Sequence, residues 1–254
     1  MSTASEESQL SEQHGFITSG LGYHIHPTIV RALTEDTKQS PRDIRIADIS
    51  RGDQFSGDVS PTILTRAKRV KLPFGGYSSN RTDLQGQFDV VAVRLLHTNL
   101  KPDRFNEALD ELVALLKPGG WLQWIDWDPM TARIATVKAG APDTVLRDVL
   151  NRFTDALRAG KAGSTYRIST AMSLQLEDEE SDMYTVTPEV RFTENVVAGA
   201  LLFLERSGHC TPAEASDLRA KVREEIESAG SLLFYDLWCH IARKPDEDAG
   251  DLEG

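Results

Sequence analysis

Residues 87–128 read QFDVVAVRLLHTNLKPDRFNEALDELVALLKPGGWLQWIDWD, and this stretch decides the fold. The apolar run from Phe88 to Val93, continuing to Leu96, predicts a strand. Phe105, Leu109, Leu112, Val113 and Leu116 then fall at i, i+4, i+7, i+8 and i+11, one face of a helix. Lys117-Pro118-Gly119-Gly120 stops that helix, because glycine takes a left-handed cap and proline cannot continue the ladder. Trp121 to Trp127 forms a second apolar run. Strand, helix and strand within about forty residues make a βαβ unit, whose two strands should be parallel.

Outward from this unit the elements keep alternating. Ile44 to Ile49 reads as a strand, and Leu232 to Ala242 as a last one. Pro142 to Leu157 places Leu146, Val149, Leu150, Phe153 and Leu157 on one helical face and ends at Gly160. Ile168 to Leu176 suits a short helix, Ser181 to Thr187 a strand, and Glu194 to Leu204 a helix capped by Gly208. Thr211-Pro212-Ala213-Glu214 is a capping box with proline at the first helical position, opening a helix closed by Gly230. The pattern predicts an α/β fold with a mostly parallel open sheet. Helices at about 142–160 and 191–207 are expected to cap it, within one domain spanning 14–245. The Ser/Glu-rich residues 1–13 and the acidic residues 246–254 are expected to be mobile.

Composition excludes several classes of function. The 254 residues carry a net charge of −11, which argues against a nucleic-acid surface. No apolar stretch is long enough to span a bilayer, and the N-terminus has no signal-peptide pattern, so no membrane is expected. Cys210 and Cys239 have no metal-ligand spacing and read as reduced thiols, which points to the cytoplasm or the nucleus. His24 and His26, two positions apart without clustered acids, make a weak metal signal, and no metal is expected. Neither a nucleophilic triad nor a phosphate-binding loop is present.

The order FDVV, LLKPGG, then a tryptophan-rich strand resembles the second half of class I S-adenosylmethionine-dependent methyltransferases. VRLL…LLKPGGWLQW is similar to the fungal branch that tailors secondary metabolites and includes a regulator of their gene clusters. Gly22-Tyr23-His24-Ile25-His26-Pro27 and the closing Leu237-Trp238-Cys239-His240-Ile241-Ala242 extend the likeness over roughly residues 12–245. The resemblance implies a Rossmann-like methyltransferase fold whose final strand is antiparallel. It implies S-adenosylmethionine as cofactor and methyl transfer to oxygen or nitrogen of a small secondary-metabolite scaffold. Its alternative is a catalytically silent or repurposed relative that acts as a regulatory or interaction partner in secondary metabolism.

The resemblance also implies where the cofactor contacts fall. Asp48, Ser50 and Gly52 stand where the family has an acid and a glycine turn after its first strand. Gly57-Asp58-Val59-Ser60-Pro61 resembles the second-strand motif, which gives Asp58 the ribose hydroxyls. Arg94 matches an orienting arginine at the end of strand 88–93, and His97 just beyond it is the candidate general base. Asp126 and Asp128 are candidates for the substrate mouth.

One spacing departs from the family. Only ten positions separate Asp48 from Asp58, whereas a three-turn helix alone takes about eleven residues. The expectation is that the first crossover helix and most of strand two are missing, either lost from the protein or skipped in the sequence. A sheet short of a crossover must repack its exposed face or have it covered by a protein partner or a second copy of the chain.

Overall fold

The computed structural model describes residues 4–49, 68–71, 82–96, 104–160, 162–163 and 165–246. The elements in chain order are α1 (Ala4–Leu21), α2 (Pro27–Gln39), β1 (Arg45–Ile49), β2 (Lys68–Lys71), β3 (Phe88–Arg94), α3 (Phe105–Leu115) and β4 (Leu116–Thr136). Then follow α4 (Thr144–Ala159), α5 (Arg167–Met172), β5 (Glu177–Thr185), α6 (Val190–Arg206), α7 (Pro212–Ala229) and β6 (Ser231–Arg243). Among the described residues, six strands lie in the order β2-β1-β3-β4-β6-β5. β2, β1, β3 and β4 are parallel neighbours, and β6 runs antiparallel between β4 and β5. The fold is α/β with a mostly parallel open sheet, and strands 88–94 and 121–125 are parallel as the βαβ reading requires.

β3 is buried along its whole length, as a central parallel strand covered on both faces must be. Its Phe88, Val91 and Val93 join a core with Leu109, Leu112 and Leu115 of α3, while Val90 and Ala92 join Ile17 of α1 and Ile29 and Leu33 of α2. The α3 helix ends because Leu116 turns extended, not because a glycine caps it directly. Gly119 is left-handed (φ 71°) in the following turn. A Cβ on Gly120 would stand 2.9 Å from the Lys117 carbonyl oxygen and 3.1 Å from that of Phe88, so β4 enters beside β3 only with glycine here. Thr211 accepts the Glu214 N–H (3.2 Å), and Gly230 closes α7 in the left-handed conformation (φ 66°).

The slot beside β1 is filled, which corrects the expectation that strand two is largely missing. Arg45 to Asp48 pair in parallel with Lys68 to Lys71. The 50–67 connection exceeds the dozen or so residues that a parallel crossover needs. The spacing argument assumed a strand ending at Asp58, and the chain instead supplies the neighbour of β1 ten positions later. Residues 1–13 were expected to be mobile from their polar composition. Residues 4–13 belong to α1, which docks on α6: Asn195 Nδ2 donates to the Gln9 carbonyl (3.0 Å) and to Glu12 (2.9 Å), and Arg191 pairs with Glu12 (2.6 Å).

β4 and β6 outrun the other strands. Past a register shift between Asp128 and Arg133 they pair again from Arg133–Phe234 to Thr136–Ser231, a two-stranded ribbon beyond the carboxyl end of β3. α4, α6 and α7 pack around this ribbon with a core of their own, including Phe153, Leu201 and Val222. The Glu225 carboxylate of α7 accepts the Val145 and Leu146 N–H groups at the start of α4 (2.8 and 3.2 Å). These helices therefore stand over the edge where the parallel strands end.

Candidate functional site

In an open α/β sheet, ligands bind outside the carboxyl ends of the strands where the strand order reverses. Here that point lies between β1 and β3, since the chain moves outward from β1 to β2 and then returns to the other side of β1. Asp48 stands at the end of β1 and Arg94 at the end of β3, each 1% exposed. Two of the predicted site residues are thus brought to one edge. Ser50, Gly52, Asp58 and His97 lie outside the described residues. Asp58 precedes β2 in the chain, so it is not the acid at that strand's carboxyl end.

The end of β3 is held in an uncommon shape. Leu95 has φ 55°, a left-handed conformation that a leucine seldom adopts and that collects at functional sites. Its N–H still reaches the Ile125 carbonyl (3.0 Å), and the Leu96 N–H turns to Asp126 Oδ2 (2.9 Å). The other Asp126 oxygen accepts the Trp127 N–H (3.0 Å), and Trp124 Nε1 approaches Oδ2 at 3.4 Å. Asp126 therefore clamps the end of β3 to β4 with both of its oxygens, and at 1% exposure it does not open onto a mouth. Asp128 is half-buried and accepts the Met130 N–H (3.0 Å) in the β4 bulge.

Arg94 meets a residue the sequence did not single out. Its Nη1 donates to His14 Nδ1 of α1 (2.7 Å), and the His14 ring lies 5.6 Å from that of His24. Burial, then the Arg94 charge, then His24 push the His14 pKa down to about 3. His14 is neutral, with Nδ1 as the acceptor, and α1 is fastened over the site edge by this bond. No spacing rule exposes such a histidine, because its partner is eighty positions away.

His26 has a structural assignment. It is the N-cap of α2, its Nδ1 accepting the Thr28 N–H (3.2 Å), and its Nε2 lies 2.8 Å from Asp182 Oδ2 of β5. Ligand atoms of His26, Glu180 and Asp182 all fall within 4.8 Å of one another. The cap leaves the neutral ring's proton on Nε2, where it is donated to Asp182, whose pKa is lowered chiefly by that bond. A metal at Nε2 would have to displace the proton and then the cap, since metal-bound histidines donate from their other nitrogen. The group is a polar lock that carries on through Tyr184, which donates to Asp182 (3.0 Å). Among the described residues no helix is long and apolar enough to cross a membrane.

Asp48 brings a buried carboxylate to this edge, and the left-handed turn at Leu95 follows the end of β3. Three kinds of comparison bear on this chain. No family model matches it. Methyltransferase grgD of a Penicillium species is 49% identical over 45 residues, 18% of this chain and 16% of that relative, so the match spans about a sixth of the relative's length. Among solved structures, a Bacillus halodurans protein provisionally described as a methyltransferase overlays with a TM-score of 0.42 at 14% identity, covering 84% of this chain and 98% of that one. Phosphoethanolamine N-methyltransferase 2 of Haemonchus contortus overlays with a TM-score of 0.37 at 12% identity, covering 85% of this chain and 53% of that one.

Proposed function

We propose that the protein is an S-adenosylmethionine-dependent methyltransferase that acts on oxygen or nitrogen of a small secondary-metabolite scaffold. The observation that carries the reading is the β1/β3 switch point, with buried Asp48 on one side and the strained Leu95 turn on the other. Asp48 would hold the ammonium of the cofactor's methionyl part, with Ser50 and Gly52 approaching it from the turn. Asp58 would reach the ribose from the β1–β2 connection. Arg94 orients the end of β3 through His14. The cofactor supplies an electrophilic methyl on a sulfonium that is its own leaving group, so the chain's task is alignment and exclusion of water. His97 would accept the proton of the methyl acceptor. The helices over the ribbon and α1 would enclose the acceptor.

The silent-relative reading has one observation in its favour. The sequence following β2, Leu72 to Thr82, contains no acid, so the strand beside β1 does not itself offer a ribose acceptor. Methyl-labelled S-adenosylmethionine separates the two. An enzyme passes label to an organic-soluble phenol or amine in a panel of small acceptors and is stabilised by S-adenosylhomocysteine through mass action. A melting temperature unmoved by millimolar S-adenosylhomocysteine would support the silent relative.

A further inference from the structure

Helix α1 is continuous from Ala4 to Leu21, but its two halves are held by different forces. Ile17 and Leu21 are buried in an apolar core, and Phe16 meets Phe192 of α6 edge to face at 5.4 Å. The contacts described for residues 8–12 are polar. Gln9 Nε2 donates to the Asn195 carbonyl (3.1 Å), Asn195 Nδ2 donates back to the Gln9 carbonyl (3.0 Å), and Arg191 pairs with Glu12 (2.6 Å). Arg191 is largely exposed, so this ion pair is a weak latch. Beside these bonds the two helices do not close on each other. A cleft of about 270 Å3 lies between them, with Ser8 and Glu12 on one wall and Glu194 and Ala198 on the other. An open cleft forfeits the packing that would hold a helix down.

Two features mark the place where the halves meet. Gly15 stands inside the helix, where only proline is a poorer choice. Neither space nor backbone calls for it among the described residues: a Cβ would meet no atom within 4 Å, and its φ is not left-handed. Thr18 Oγ1 donates to the carbonyls of His14 (3.0 Å) and Gly15 (3.2 Å), a back-bond of the kind that weakens and bends helices. His14, just before the glycine, bonds Arg94 at the end of β3 (2.7 Å).

We propose that residues 4–14 are a flap, hinged at Gly15, that undocks from α6 and recloses as one unit. A polar helix this short does not persist alone in water, so the undocked flap also loses its helical hydrogen bonds. Opening parts His14 from Arg94 and uncovers the end of β3, beside the β1/β3 crevice. Segments that admit ligands are drawn from the least stable parts of a fold, and the weak latch places this one there. That the flap admits S-adenosylmethionine rests on the methyltransferase reading. The flap itself rests on the hinge and the latch.

Amide hydrogen exchange of the full chain, resolved by residue in NMR spectra, tests it. Amides 8–14 should share one opening equilibrium and exchange faster than Gly22, whose N–H is held by the Thr18 carbonyl beyond the hinge (2.9 Å). Gly15→Ala should slow amides 8–14 together by about four- to fivefold, the helix propensity gained at the hinge. Arg191→Ala should speed them by about two- to fivefold and leave Gly22 unchanged. Protection that falls stepwise toward Ala4 and ignores Gly15→Ala is fraying from the end, and overturns the flap. So does protection at 8–14 equal to that of Gly22. With S-adenosylhomocysteine bound, the same amides should slow further. Unchanged exchange in a chain that binds it by calorimetry overturns ligand entry through the flap. A chain that gives no binding heat retires the methyl-transfer reading instead, and the ligand-free exchange still decides the flap.

Discussion

Asp126→Asn tests whether the clamp at the site edge is what holds the strand ends in place. The carboxylate accepts Leu96 N–H (2.9 Å) on one oxygen and Trp127 N–H (3.0 Å) on the other, with Trp124 Nε1 at 3.4 Å. Asparagine keeps the shape but has a single acceptor oxygen, so its NH2 must face a backbone N–H in either orientation. Losing one bond to a charged acceptor costs about 1.5–3 kcal/mol, and the surviving bonds become ordinary neutral ones. The expected loss is about 2–4 kcal/mol, or a fall in melting temperature of about 4–16 °C for a chain of this size. Urea denaturation followed by circular dichroism reads it, with an unchanged slope showing that the unfolded state is not altered. Asp128→Asn is the control: its carboxylate bond to Met130 is exposed, and the loss should stay below about 1 kcal/mol. A loss under about 0.5 kcal/mol for Asp126→Asn, within the usual range for surface changes, would refute the clamp.

The remaining predictions concern acid stability, packing and the buried anion under the sheet. The His14 pKa is about 3, far below its unfolded value, so the unfolded chain binds the extra proton and stability falls as pH drops from about 6.5 toward 3. His14→Gln should flatten that decline by up to about 1.4 kcal/mol per pH unit, read from urea midpoints against pH; an unchanged slope would show that His14 is not buried neutral. Asp89 is buried, and burial alone would raise its pKa, but the Arg45 N–H, Lys117 and Arg42 together hold it below the usual range. A lowered folded value means that this contribution is complete above the unfolded pKa of about 3.9 and disappears as pH falls further. The stability gap to Asp89→Asn should accordingly be level above about pH 5 and close in stronger acid, and a gap that widens there would reverse the sign. Gly120→Ala should cost about 1–3 kcal/mol in thermal melts, because its Cβ would press on two backbone carbonyls; a neutral effect would mean that β3 and β4 separate freely.

The centre of the fold was legible because its signals are local. Phe88 to Trp127 carries a strand run, a helical period and a glycine stop in unbroken order, and their hydrophobic pattern needs no distant information to read. Thr211 and Gly230 are similar, since a cap is chosen by residues within one turn of it. The neighbour of β1 was misplaced because KRVK is short and polar and gives almost no period. A family-based spacing then set the strand before Asp58, where the resemblance expects it. α1 was missed for a related reason: its polar sequence is ordered by contacts with Arg191 and Asn195, nearly two hundred positions away. At the candidate site, Asp48 and Arg94 were named from the family resemblance, and both lie at the carboxyl edge of the sheet, where ligands bind in such folds. His14 was not named, since its place there comes from one buried bond to a residue eighty positions away.

The central claim is that the β1/β3 crevice receives S-adenosylmethionine, and titration calorimetry of the full chain with S-adenosylhomocysteine tests it most directly. The account predicts saturable binding at one site, with a rise in melting temperature that grows with ligand concentration. Asp48→Asn should weaken that binding about ten- to hundredfold, the worth of hydrogen bonds to a charged group, while leaving the fold intact by circular dichroism. No heat and no melting shift at millimolar ligand, or an Asp48→Asn variant that binds as tightly as the wild type, would contradict it.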